Sequence, residues 1–206
     1  MAFPRSAGIL LHPTSLPGDT GIGELGRHAF AWVDFLEAAG QRLWQVMPLG
    51  PTGYGDSPYQ SFSAFAGNPY LLSLEDLVDE GWLRSAEVEG LRELRRDRVD
   101  YGALIPAKLA LLTRAAERFA EGASRHDRDA LEAFRERERG WLEDFALFMA
   151  LKEAHGGAGW ADWEEGARLR REDALAEARR SQAAAVQRHA LWQHWFYRQW
   201  GAVRAY

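Results

Sequence analysis

Cysteine is absent from the 206 residues, which removes disulfide frameworks, thiolate nucleophiles and Cys-ligated zinc from consideration. An excess of positive charge is missing too. With 25 Lys and Arg against 30 Asp and Glu the formal net charge is -5, whereas a phosphate backbone is held by a concentrated surplus of cations. No nucleic-acid partner is expected, and a neutral ligand suits this balance better. No apolar run approaches the roughly 20 residues that cross a bilayer, and the opening Met1-Ala2-Phe3-Pro4-Arg5 carries no apolar signal core. These absences predict a cytoplasmic protein with no membrane partner. Nor is there a low-complexity tract. At 47% hydrophobic and 27% charged, the composition is that of a folded protein of one or two domains.

Tryptophan, by contrast, is plentiful, with nine in the chain. Aromatic faces serve either cores or sugar-stacking platforms, and the count does not separate the two.

Gly8-Ile9-Leu10-Leu11-His12 is a short apolar run ending at Pro13, which predicts a buried strand feeding a loop. From Leu25 to Ala39 the apolar positions Leu25, Ala29, Trp32, Val33, Leu36 and Ala39 recur at intervals of three and four, with Gly40 following. This is the pattern of an amphipathic helix with a C-terminal glycine stop. Arg42 to Leu49 predicts a second buried strand, completing a parallel β-α-β unit. The loop from Thr52 to Pro69 is long and rich in Gly, Pro, Ser and Tyr, and loops of this length are often functional. A short helix is predicted from Ser73 to Glu80, then three longer ones over Tyr101 to Glu121, Asp127 to His155 and Arg170 to Tyr206. The last carries Trp192, Trp195, Phe196, Trp200 and Val203 on one stripe. Two strands are too few for a parallel sheet, which is normally buried on both faces, and the last helix reaches Tyr206 without a stop signal. Together these features predict a chain cut off within a larger α/β fold.

Several candidate chemistries can be weighed on their residues. Gly50-Pro51-Thr52-Gly53-Tyr54-Gly55-Asp56-Ser57-Pro58-Tyr59 follows a predicted strand, where α/β folds place ligand loops. It lacks the Gly-Lys-Ser/Thr ending of a phosphate cradle; either it binds a ligand, or its residues simply make turns with Tyr54 and Tyr59 packed locally. Of the six histidines, His189 and His194 are five apart on one predicted helix, so they face differently and do not form the i, i+4 pair of a helix-borne zinc site. No metal site is expected. His12, at the end of the first strand, is either an active-site group or a satisfied core histidine. Only Asp19 and Asp56 lie in loops after the two strands, and such a pair is no evidence of a catalytic dyad.

Four blocks carry a resemblance. His12-Pro13-Thr14-Ser15-Leu16-Pro17-Gly18, Gly21-Ile22-Gly23-Glu24-Leu25-Gly26, Trp44-Gln45-Val46-Met47-Pro48-Leu49-Gly50-Pro51-Thr52-Gly53 and Ser57 to Tyr70 closely resemble, in order and spacing, the opening of the amylomaltase family of 4-α-glucanotransferases. The dense match covers about the first 80 residues. Arg139 to Gly157 resembles the family more loosely.

The resemblance implies an α/β fold: the N-terminal portion of a (β/α)8 TIM barrel with a large, mostly helical insertion after the second strand. On that reading residues 1–50 form the first β-α-β unit, 51–185 the substrate loop and insertion, and 186–206 a helix returning to the barrel before the third strand. It further implies transfer of α-1,4-glucan segments between maltodextrins, with retention, through a covalent glycosyl-enzyme and without a cofactor. The nucleophile Asp, the acid/base Glu and a further Asp are expected beyond Tyr206, so the chain alone is expected to be inactive. Tyr59 and Ser57 match positions lining the donor side of the cleft, and Tyr54 and Tyr101 match aromatic positions of a second glucan contact. The implied partners are maltooligosaccharides and, if it is expressed separately, the C-terminal half of the barrel.

Two other functions compete. One is a non-catalytic glucan-binding or interaction module that uses Tyr54, Tyr59, Tyr101 and the helical insertion. The other is a helical protein whose exposed Trp192, Trp195 and Trp200 stripe docks a partner helix.

Overall fold

The computed structural model describes residues 4–206, the side chain of Tyr54 excepted. The chain divides into two compact units, one comprising Met1–Glu121 with Trp195–Tyr206 and the other Gly122–His194. Both are dominated by helices.

In the first unit β1 (Gly8–Leu10) pairs in parallel with β2 (Leu43–Gln45), with Ile9 opposite Trp44, and α1 (Arg27–Ala38) connects them. Gly8 permits the close pairing, because a Cβ there would lie 2.5 Å from the Leu43 carbonyl oxygen. The β-α-β unit therefore forms as predicted. Its strands are nevertheless shorter than the apolar runs, and they are not buried: Leu10 and Leu43 expose about half their surface, at 56% and 46%. An apolar run reports hydrophobicity, and two strands with one helix do not supply neighbours for both faces. The Trp44 indole N–H donates to the Leu11 carbonyl at 2.7 Å. Leu16, Ala29 and Val203 form a buried cluster against which Trp32, Trp44 and Trp200 pack.

α2 (Leu74–Asp79) starts at Ser73, whose hydroxyl accepts from the Asp76 N–H, as the Ser-Leu-Glu-Asp sequence predicts. α3 (Ser85–Arg92), which the sequence reading passes over, follows. α4 (Tyr101–Gly122) begins where predicted, with Asp100 accepting from the Ala103 N–H.

The second unit holds α5 (Arg125–Arg137), α6 (Leu142–Ala154), α7 (Glu165–Arg168) and α8 (Glu172–Ser181). The first part of α9 (Ala183–Ala205) also belongs to it. Two long predicted helices are each split. The run from Asp127 to His155 breaks between Glu138 and Trp141, around Gly140, where a residue without Cβ favours helix termination over propagation. The run from Arg170 to Tyr206 breaks at Gln182, next to Ser181, whose hydroxyl turns back onto the Ala178 carbonyl.

The tryptophan stripe of α9 is not exposed. Trp192, Trp195, Phe196 and Val203 are buried and Trp200 half-buried, so the chain itself covers the face that the partner-docking reading left to another molecule. Among the described residues no helix is long and apolar enough to cross a membrane.

Candidate functional site

The segment after β2 is long, yet it is closed on itself. Thr52 and Ser61 form an antiparallel bridge. The Gly53 N–H donates to the Gln60 carbonyl at 2.8 Å, and the Phe62 N–H to that of Pro51 at 3.3 Å. Gly50 allows the two arms to approach, since a Cβ there would meet the Ser61 hydroxyl at 2.2 Å. At the tip Gly55 and Asp56 adopt left-handed backbone angles, with φ of 67° and 53°; aspartate is among the few side chains that tolerate this region.

Ser57 and Tyr59 are brought together by this turn. The Ser57 hydroxyl accepts from the Tyr59 N–H at 3.3 Å, a local bond that orients the next residues of the tip. Tyr59 exposes 74% of its surface: the reading in which it packs locally does not hold, and its ring is a free aromatic face. Tyr54 lies in the same tip, and its side chain falls outside the described residues.

Tyr101, in the first turn of α4, interacts with Thr14 and with Asp56 of the loop tip. It is half-buried and shares a side-chain hydrogen bond with Thr14; burial raises its pKa, the Thr14 bond acts against that, and the Asp56 charge adds to it. Tyr70 is pushed up to about 12 by burial, then by the charge of Asp56 and by Tyr101. Asp56 thus ties the loop electrostatically to two tyrosines that come from different parts of the chain.

His12 completes the arrangement. Its Nδ1 lies 2.8 Å from the Thr14 hydroxyl, and its Nε2 donates to the Pro48 carbonyl at 3.3 Å. Burial lowers its pKa, with the Pro48 bond acting in the opposite direction. These bonds give His12 the partners that the core-histidine alternative requires. His12 stitches the end of β1 to the segment leaving β2 and contacts the Thr14 side chain that also bonds Tyr101. Thr14 and Tyr70 were not singled out as site residues from the sequence, although both stand inside the four blocks, and Asp56 was weighed there only as one of two loop carboxylates and left unassigned.

Asp19 is committed elsewhere: its carboxylate accepts from Arg27 at 2.6 Å and lies 3.6 Å from Arg96. Among the described residues no group of three or more His, Asp or Glu is placed to hold a metal ion. The site is thus a polar, aromatic loop tip over a row of hydrogen-bonded side chains. Exposed ring faces beside hydroxyl groups are the features by which a site can hold a neutral polyhydroxylated ligand.

A family model described as 4-alpha-glucanotransferase matches residues 11–206. The chain belongs to this family. The match extends well beyond the first 80 residues that carry the dense blocks, and through the helical second unit. Among similar proteins, the 4-alpha-glucanotransferase of Thermus thermophilus is 56% identical over 205 residues, covering 100% of this chain and 40% of the relative. That of Synechocystis is 43% identical over 206 residues, covering 100% of this chain and 41% of the relative. A solved amylomaltase from Streptococcus agalactiae, in complex with acarbose, superposes with a TM-score of 0.92 at 39% identity; it covers 98% of this chain and 41% of that one. The chain therefore spans about 40% of the length of the 4-alpha-glucanotransferases it matches.

Proposed function

We propose that this chain is the N-terminal, substrate-loop part of an amylomaltase-type 4-α-glucanotransferase. The whole enzyme transfers α-1,4-glucan segments between maltodextrins with retention, through a covalent glycosyl-enzyme intermediate. The observation that carries this is the exposed ring of Tyr59, held by Ser57 at the tip of a self-closed loop, in a chain 56% identical to a 4-alpha-glucanotransferase. The acarbose bound to the Streptococcus agalactiae amylomaltase supports an α-glucan as ligand.

In this reading β1, α1 and β2 open a (β/α)8 barrel, residues 51–185 make the substrate loop and helical insertion, and 186–206 return to the barrel. Tyr59 offers its ring to one face of a donor glucose, and the Ser57 hydroxyl orients that ring through the Tyr59 N–H. Tyr101, fixed by Thr14, and Tyr54 make a second contact along the glucan. Retention requires two carboxyl groups about 5 Å apart, and the proposal assigns them, with the further Asp, to sequence beyond Tyr206. The chain by itself then binds but does not turn over.

Incubation with maltotriose tests this. Glucose and longer maltodextrins are expected from the chain extended through the rest of the family sequence and not from the 206 residues alone. Turnover by the 206 residues would overturn the assignment of the carboxylates, and inactivity of the extended chain would overturn the function.

A further inference from the structure

The second unit carries a cleft that the loop site does not use. α6, the short 3-10 turn Trp160–Asp162, α7 and α8 enclose about 290 Å³. Its floor is aromatic: the rings of Phe148 and Trp163 lie 5.4 Å apart at 38°. At its rim stands Trp160, 58% exposed and the one tryptophan among the described residues classed as exposed. An indole left in water beside a preformed cleft costs hydrophobic free energy that a ligand would recover.

The cleft is braced from behind. Trp163 stacks on His155 with ring centres 5.1 Å apart, and His155 bonds the Leu151 carbonyl at 2.7 Å and Glu164 at 2.6 Å. The Trp163 indole N–H donates to the Ala158 carbonyl at 3.3 Å. A floor locked in this way is preorganised, which lowers the entropic cost of binding.

The polar side of the rim is built at some expense. Arg170 follows α7 with φ of 54°, in the left-handed region where a helix normally ends on glycine. A non-glycine residue there stores about 1–3 kcal/mol of strain. Its guanidinium donates to the Asp144 carboxylate at 2.7 Å, with Arg179 3.6 Å away on the other carboxylate oxygen. Asp144 and Arg170 together present paired acceptors and donors with their charges mutually compensated. That suits hydroxyl groups of an uncharged ligand better than a phosphate, which would have to compete with Asp144. The volume lies at the lower end of the roughly 300–1,000 Å³ of clefts that take drug-sized ligands, room for one or two sugar rings of a longer chain.

We propose that this cleft is a carbohydrate-binding site separate from both loop contacts, in which Trp160 stacks on a glucose ring and Asp144 and Arg170 bond its hydroxyls. The identity of the sugar as an α-1,4-glucan rests on the function proposed above; the cleft's capacity for a neutral sugar ring does not.

The test is affinity electrophoresis of the 206-residue chain through gels containing amylose, with tryptophan fluorescence followed on titration with maltoheptaose. Trp160→Ala is expected to weaken retardation several-fold and to remove most of the fluorescence change, while Tyr59→Ala leaves the fluorescence change in place. Asp144→Asn weakens both signals. Leu169→Ala, an equally exposed neighbour that does not line the cleft, retains wild-type behaviour. Wild-type retardation of Trp160→Ala overturns the site, as does a response to inorganic phosphate with none to maltoheptaose. Neither result touches the loop reading, which maltotriose turnover by the extended chain decides separately.

Discussion

The Glu24 carboxylate accepts a hydrogen bond from the fully buried Lys108 Nζ at 2.5 Å, across 84 residues of sequence. The same oxygen accepts from the Thr20 hydroxyl at 2.7 Å, and the other accepts from the Leu74 N–H at 3.1 Å. Burial drives the Lys108 pKa down, and Glu24 acts against that shift. One side chain of the Gly-Ile-Gly-Glu-Leu-Gly block thus holds α2 and α4 to the segment that precedes α1.

Removing one partner of a buried ion pair leaves the other charge without compensation, at a cost of about 3–5 kcal/mol. Glu24→Ala should lower stability by that order in urea unfolding. The double variant Glu24→Gln with Lys108→Met should lose less, because no buried charge is left unpaired. Equal losses in the two would show that the pair is not what holds these elements.

Glu87 supports a pH prediction. Arg118 donates to both its carboxylate oxygens, at 2.6 and 2.8 Å, and the Arg84 N–H donates at 2.8 Å. The Arg118 bonds first, then the Arg84 bond, pull its pKa from 4.5 to about 2. A carboxyl whose folded pKa is depressed contributes stability above its unfolded value and loses it as pH falls through the folded one. Stability of the wild type should therefore decline between about pH 4.5 and 2 more steeply than that of Glu87→Gln. Parallel curves over that window would refute the assignment.

Glycines separate into two kinds. A Cβ on Gly23 would lie 2.0 Å from the Pro13 carbonyl oxygen and 2.8 Å from the Leu16 nitrogen, both backbone atoms that cannot swing away, whereas one on Gly90 in α3 meets nothing within 4 Å. Gly23→Ala should destabilise by about 1–3 kcal/mol. Gly90→Ala should stabilise by about 0.8–1 kcal/mol, the helix-propensity difference. Thermal melts of the two variants should therefore move in opposite directions.

At the loop tip, Tyr59→Ala removes a ring that is 74% exposed and should leave the melting temperature unchanged. In the extended enzyme kcat/KM for maltotriose should fall roughly two- to tenfold, as expected for loss of about 0.5–1.5 kcal/mol of ring contact. Tyr59→Phe should retain most of it, since the proposed contact uses the ring face. An unaltered kcat/KM in Tyr59→Ala would remove this residue from the donor site.

The amino-acid sequence by itself determined the local elements and the family. The three-and-four spacing from Leu25 to Ala39 marked α1 because a helix displays such positions on one face. Ser73 marked the start of α2 because a side-chain oxygen there satisfies a free N–H. The four blocks around His12, Gly21, Trp44 and Ser57 marked the family that residues 11–206 match. Only the tertiary structure decided which partner each side chain takes. His12 takes Pro48 and Thr14 as its partners. The apolar stripe of α9 proved buried, while the equally apolar Leu10 and Leu43 remained exposed. Periodicity says which residues share a face, and chain closure over tens of residues settles what covers that face. Hydrophobicity is carried by a residue, whereas burial, hydrogen-bond partners and pKa belong to the space around it.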